Sequence, residues 1–205
     1  MNEKKLMLVL GGSRSGKSEF AEQAAARMGG PVTYIATLAA GDEEMSRRVA
    51  AHRERRPTGW ATVEESLDVP LRVREIGIKN GVILIDCLTG WISNLLLDEG
   101  LPCPGASARE KEDYIVSRVA DLAAAAADSR SSVLVVSSEV GMGLVPSYPL
   151  GRAFRDIAGR ANRHLASAAD EVYLVVAGLA VEIRSLAVNL GTGDRRQETG
   201  DRRKK

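Results

Sequence analysis

The eight residues from Gly11 to Ser18, GGSRSGKS, set a glycine, four residues and then Gly16, Lys17 and Ser18 directly behind the apolar run Leu6 to Leu10. Each residue type there answers a need of phosphate chemistry. Glycines let the backbone N–H groups of Gly11, Gly12, Ser13, Arg14, Ser15 and Gly16 turn toward one anion, and a helix expected to start at about residue 16 adds the positive end of its dipole. The Lys17 ammonium would reach the β and γ phosphates, and the Ser18 hydroxyl would ligate Mg²⁺. Strand, loop and helix in that order are the context a phosphate loop requires, so the expected ligand is ATP or GTP with Mg²⁺. Arg14 either adds a phosphate contact or faces solvent.

A metal-bound triphosphate also needs an acid, commonly at the end of a buried strand. Asp86 closes Gly81 to Asp86, GVILID, and a carboxylate behind five largely apolar residues is costly to bury without a cationic partner. It reads as a metal ligand beside Ser18 or as the N-cap of a helix starting near Leu88, and both roles can hold at once. From Gly41 to Pro57 the chain reads GDEEMSRRVAAHRERRP, acidic then basic, the polarity a helix dipole favours. Arg48, His52, Arg55 and Arg56 stand at i, i+4, i+7 and i+8 and share one face. That face grips a polyphosphate or is simply a solvated charged surface. The arginines disfavour a charged His52, leaving a neutral imidazole able to attack phosphorus. His164, the other histidine, lies on an amphipathic stretch and is expected to be structural.

The elements that must position these groups follow from periodicity. Leu6 to Leu10, Val32 to Ala36, Val82 to Asp86, Val133 to Ser137 and Val172 to Val176 are near-continuous apolar runs, as suits a parallel sheet covered on both faces. Helices are expected at about 16–28, 42–56, 88–98, 107–127 and 150–168. Leu179 to Arg184 follows Gly178 so closely that it reads as an antiparallel hairpin partner of the preceding strand. The alternation predicts an α/β fold, mostly parallel, with helices on both faces.

At 205 residues the chain fits one domain, expected over 1–187, with a core to match. A net charge of +1 gives no support to nucleic acid or a membrane surface as partner. No segment approaches the ~20 apolar residues of a membrane span, and the first apolar run is too short for a signal peptide. Cys87 and Cys103 have no zinc-ligand spacing and neither require nor exclude a disulfide, so the default expectation is a cytoplasmic enzyme. Residues 188–205 turn basic and repeat TGDRR, at Thr192 to Arg196 and Thr199 to Arg203. That composition buries too little apolar area to order itself, so a disordered tail is expected.

Four segments together resemble the bifunctional adenosylcobinamide kinase / adenosylcobinamide-phosphate guanylyltransferase family of cobalamin biosynthesis. They are GGSRSGKS at Gly11; YIAT at Tyr34 with RRVAAHRERRP after it; IDCLTGWISNLL from Ile85; and SSEVGMGLVPSYPLGRAFRDIAGRANRHLASAADEVYLVVAG from Ser137. The resemblance spans about Leu6 to Arg184, and the last segment is the most specific. It implies a RecA-like P-loop NTPase fold and two reactions. ATP or GTP phosphorylates adenosylcobinamide, and GTP then transfers GMP to adenosylcobinamide phosphate through a GMP-histidine at His52. It further implies that Gly11 to Ser18 hold the triphosphate. Ile35, Ala36, Thr37, Arg53, Glu54, Arg55 and Arg56 would flank the guanine nucleotide, Glu64 and Asp86 would complete its site, and the assembly would be a homotrimer. Glu139, Asp156 and Asn162 receive no role, and Arg152 with Asp156 is expected to form a surface pair. A P-loop kinase without guanylyl transfer, and a nucleotide-binding regulatory module, remain as alternatives.

Overall fold

The computed structural model describes residues 4–38 and 59–188. The expected helix at 42–56 and the basic tail from residue 189 onward lie outside the described residues.

All seven described strands join one sheet: β1 (Leu6–Gly11), β2 (Val32–Ala36), β3 (Ala61–Glu64), β4 (Val82–Asp86), β5 (Ser132–Ser138), β6 (Glu171–Val176) and β7 (Leu179–Glu182). Their order is β3-β2-β4-β5-β1-β6-β7. Every pairing is parallel except β6 with β7, where Val176 faces Leu179, so the expected antiparallel edge is present. Five described helices connect the strands: α1 (Lys17–Met28), α2 (Val69–Ile76), α3 (Leu88–Leu97), α4 (Ala108–Asp128) and α5 (Pro149–Ala168).

The period-two alternation of each strand divides the core in two. Leu6, Leu8 and Leu10 of β1, with Ile83 and Ile85 of β4, pack against Val73, Trp91, Ile115, Val119, Ile157 and Leu165 from α2 to α5. Met7 and Val9, with Tyr34, Leu84 and Val175, face Ala21 and Ala25 of α1. The described helices thus lie on both faces, four against one and α1 against the other. Small alanines let α1 lie close to the strands.

Side-chain caps mark where α2 and α4 start. Ser107 and Glu110 form a reciprocal capping box on α4. Asp68 caps α2 by accepting from Leu71 N–H, and Pro70 occupies its first turn, where a missing N–H costs nothing. Neither β3 nor α2 was expected from the pattern. β3 is a four-residue edge strand with mostly exposed side chains, and α2 is only two turns long. Among the described residues no helix is long and apolar enough to cross a membrane. Both cysteines are free thiols.

The order reverses at β1, which lies between β5 and β6, two neighbours reached in opposite directions. Open α/β sheets leave a crevice at the carboxyl ends of the strands at such a switch point.

Candidate active site at the carboxyl edge of the sheet

The phosphate loop fills that crevice. β1 ends at Gly11, α1 begins at Lys17, and between them Arg14 has φ 57° and Gly16 φ 92°. Left-handed positions of this kind are what an anion nest, a concavity of successive N–H groups, is built from. Arg14 takes this geometry without the freedom of glycine, a cost of about 1–3 kcal/mol typical of functional loops. Its side chain is exposed. Nearby backbone holds the loop: Ser15 N–H donates to Gly12 O (3.3 Å), Phe20 N–H to Gly16 O (2.9 Å), and Gly178 N–H, from the β6–β7 turn, to Ser15 O (2.8 Å). The Lys17 ammonium crosses the loop to Gly12 O at 3.0 Å. A Cβ on Gly11 would stand 2.6 Å from Val175 O, so the strand end has no room for a side chain. The Ser15 hydroxyl is buried with no hydrogen-bond partner among the described residues, an orphan that a bound anion or water can satisfy.

Two strands away, β2, β3 and β4 end together. Their register pairs Ala36 with Asp86 on one side and with Glu64 on the other. Ala36 and both carboxylates therefore meet at one edge, although Glu64 lies 22 positions before Asp86. The Tyr34 hydroxyl donates to Asp86 Oδ2 at 2.8 Å. Thr37 is fully buried; its hydroxyl donates to Cys87 O (2.7 Å) and accepts from Cys87 N–H (2.8 Å), and its N–H donates to Asp86 O. Asn94 of α3 then donates to Thr37 O (2.6 Å) and Ser66 O (3.1 Å), tying all three strand ends to one helix. Ile35 buries its side chain in the core, so only its backbone can reach a ligand.

Several expectations change. Asp86 is not the cap of α3; Cys87 is, its sulfur accepting from Gly90 N–H, which leaves Asp86 to the site. Burial pushes the Cys87 thiol up and the Asp86 charge adds to that, so it stays protonated at neutral pH and makes a poor nucleophile. His164 is exposed on α5 rather than structural, because it falls on the solvent side of the helix whose buried stripe is Ile157, Ala158, Ala161 and Leu165. Arg152 does not need Asp156: its guanidinium donates to Pro146 O and Ser147 O in the loop before α5. Asn162 is a buried brace, accepting from the Ser137 hydroxyl and donating to Ser138 O at the end of β5. Glu139 fixes the next turn, its N–H donating to Gly11 O and its carboxylate accepting from Gly141 N–H.

The structure thus brings together Gly11, Gly12, Ser13, Arg14, Ser15, Gly16, Lys17 and Ser18 at β1, and Ile35, Ala36, Thr37, Glu64 and Asp86 two strands off. His52, Arg53, Glu54, Arg55 and Arg56 lie outside the described residues. Sequence reasoning missed Tyr34 and Asn94. The signal for Asn94 was present, an amide that with Ser93 interrupts the apolar run Trp91 to Leu97.

Comparisons with known proteins agree on the family. A family described as cobinamide kinase / cobinamide phosphate guanyltransferase matches residues 7–183. The bifunctional adenosylcobalamin biosynthesis protein CobU of Escherichia coli is 42% identical over 185 residues, covering 87% of this chain and 99% of that protein. The corresponding CobP of Pseudomonas aeruginosa is 40% identical, covering 86% of this chain and 96% of its own. Among solved structures, an ATPase from the type III secretion system of pathogenic bacteria aligns with 90% of this chain at a TM-score of 0.50 and 15% identity. The chain spans 58% of that ATPase, a likeness of fold alone.

Proposed function

The chain belongs to the cobinamide kinase / cobinamide phosphate guanyltransferase family, and on that premise we propose that it carries out both reactions in cobalamin biosynthesis. ATP or GTP gives its γ-phosphoryl group to the hydroxyl of adenosylcobinamide; GTP then gives GMP to the resulting phosphate, forming adenosylcobinamide-GDP and releasing pyrophosphate. The observation that carries this reading is the phosphate loop and a carboxylate pair at one edge of a sheet, in a chain matched to the family over residues 7–183.

In the kinase step the loop's N–H groups and Lys17 hold the triphosphate and spread the charge that builds on the transferring group, the term that dominates such catalysis. The Ser18 hydroxyl and the Asp86 carboxylate are hard oxygen donors, a set that suits Mg²⁺, which keeps most of its waters and needs only one or two protein ligands. Bound there, the ion would neutralise charge on the β and γ oxygens. Tyr34 holds the Asp86 carboxylate from the protein side. Ile35, Ala36, Thr37 and Glu64, with Arg53, Glu54, Arg55 and Arg56, flank the guanine nucleotide in the second step.

That second step runs through His52. Its neutral imidazole nitrogen attacks the α-phosphorus of GTP, the bond to the bridging oxygen breaks, and pyrophosphate leaves; the phosphate of adenosylcobinamide phosphate then attacks the same phosphorus and frees the imidazole. β2, the last described strand before His52, ends at Ala36 beside Asp86. A cytoplasmic homotrimer is the assembly proposed.

The test is to incubate the protein with Mg²⁺ and α-labelled GTP. Label should bind the protein, be released by acid and resist alkali, since protonation makes imidazole a leaving group. His52→Ala and His52→Asn should lose label and GMP transfer but keep most kinase activity. Label that survives in His52→Ala, or that alkali removes, would leave a kinase alone. Failure to turn over cobinamide at all would favour a nucleotide-binding regulatory module.

A further inference from the structure

The two loops that brace the phosphate loop carry apolar side chains into solvent. On one flank of β1, the segment after β5 exposes Met142, Leu144 (97% exposed) and Val145. On the other, the β6–β7 hairpin exposes Val176, Leu179 (73%) and Val181. Both flanks touch the loop itself: Glu139 N–H donates to Gly11 O and Gly178 N–H to Ser15 O. In the hairpin, register pairs Val176 with Leu179 and Leu174 with Val181, so these four side chains share one face of the sheet. Leu174 packs on the same core as Val140, the residue from which the first flank rises. The two apolar strips therefore rise on either side of the strand that ends in the phosphate loop, and the hairpin strip lies on the sheet face against which Val140 packs.

The first strip is held in shape. Glu139 accepts from Gly141 N–H, Arg155 donates to Gly141 O, and Arg152 donates to Pro146 O and Ser147 O. A segment fixed by this many polar contacts, yet presenting its apolar side chains outward, has the character of a binding surface prepared in advance.

We propose that these two strips are the docking surface for the macrocycle of the corrinoid acceptor. The inference rests on the cobinamide reading above and adds to it where the acceptor lies. The acceptor must bring a hydroxyl on a short arm to a nucleotide phosphate while a broad, flat ring system stays outside the loop. Apolar surfaces on both flanks match that division, because the ring gains by burial and the polar arm is left to enter between them. A second copy of the chain seated across both strips would cover the mouth of the phosphate loop, where a large acceptor has to come and go.

Equilibrium dialysis against dicyanocobinamide, followed by its visible absorbance, tests this on the full chain. The comparison is between wild type, Leu144→Asp with Val145→Asp, and Leu179→Asp. These positions are exposed, so folding is expected to survive and is checked by circular dichroism; Leu144→Ser and Leu179→Ser serve if a charged variant does not fold. Cobinamide affinity should fall roughly tenfold or more in each charged variant, as expected when a buried apolar contact becomes a carboxylate. GTP affinity and the molecular mass by light scattering should stay as in wild type. Cobinamide affinity within twofold of wild type would overturn the docking surface while leaving the proposed function standing. Dissociation of an oligomer with cobinamide affinity retained would instead assign the strips to a second copy. A wild-type chain that binds GTP but no cobinamide would bring down the proposed function and this surface together.

Discussion

The carboxyl ends of β1 and β4 serve one candidate site but are held in different ways. At β1 the geometry is local. Gly11 to Ser18 are consecutive, the contacts that shape the loop are mostly backbone to backbone, and the chemistry is built from N–H groups that any sequence owns once glycine permits the turn. At β4 it is remote. Asp86 is steadied by Tyr34, 52 positions earlier, and its neighbour Cys87 is clasped by Thr37, which Asn94 in turn secures. A phosphate can be cradled by backbone alone, whereas a carboxylate at a strand end must be aimed by side chains that the fold supplies.

If that contrast is right, the largest effect belongs to the one side chain the loop cannot replace. Lys17→Ala should lower kinase kcat by about 10²-fold or more, with little change in melting temperature, because the lost ammonium acts mainly on charge developing in the transition state. Retention of more than about a tenth of the wild-type rate would argue that the backbone cradle suffices.

Gly11→Ala probes the backbone side directly. The added methyl meets the Ser15 hydroxyl, which can swing away, and Val175 O at 2.6 Å, which is strand backbone and cannot do so cheaply. Overpacking of this kind costs about 1–3 kcal/mol. For a chain of this size the melting temperature should fall by about 2–4 °C per kcal/mol. An unchanged melting temperature would mean that the ends of β1 and β6 yield to a methyl group.

Thr37→Val is the matching probe at β4. It preserves shape but leaves the Cys87 N–H without its buried acceptor, a loss of about 1–3 kcal/mol. Nucleotide affinity should fall with stability, since the strand ends carrying Ala36 and Asp86 lose their clasp. A variant as stable as wild type would show that the two ends are held by strand pairing alone.

The smallest effect concerns the hairpin behind the phosphate loop. Hydrogen bonds from Ser185, and from the N–H groups of Val172 and Arg184, hold the Glu182 carboxyl down from 4.5 to about 2. Its folded value lies below its unfolded one, so its stabilisation is complete above about pH 4.5 and is lost as pH falls toward 2. Glu182→Gln should therefore flatten urea-midpoint titrations across that window while leaving neutral pH nearly untouched. An unaltered acid profile would remove Glu182 as an anchor of β7.

Much of the fold was legible because its signals are short in range. The five long apolar runs became β1, β2, β4, β5 and β6, and four of the five expected helices start and stop within a residue or two of where breakers and caps mark them. β3 and α2 escaped notice, since an exposed four-residue edge strand has no apolar run and a two-turn helix has little room for a period. The Gly11 to Ser18 loop was readable for the same reason as the strands: its function is a property of adjacent residues.

By itself the sequence determined the alternating α/β layout, the phosphate loop and the family, since each lies in local order, in spacing or in residue identity along the chain. Only the tertiary structure decided that Ala36 would sit between Asp86 and Glu64, that Cys87 rather than Asp86 would cap α3, and that His164 would face water. It also decided that two apolar strips would flank the phosphate loop. Strand order and register bring together residues dozens of positions apart, and they are set by how all the apolar faces bury at once, a condition that no local window of the chain contains.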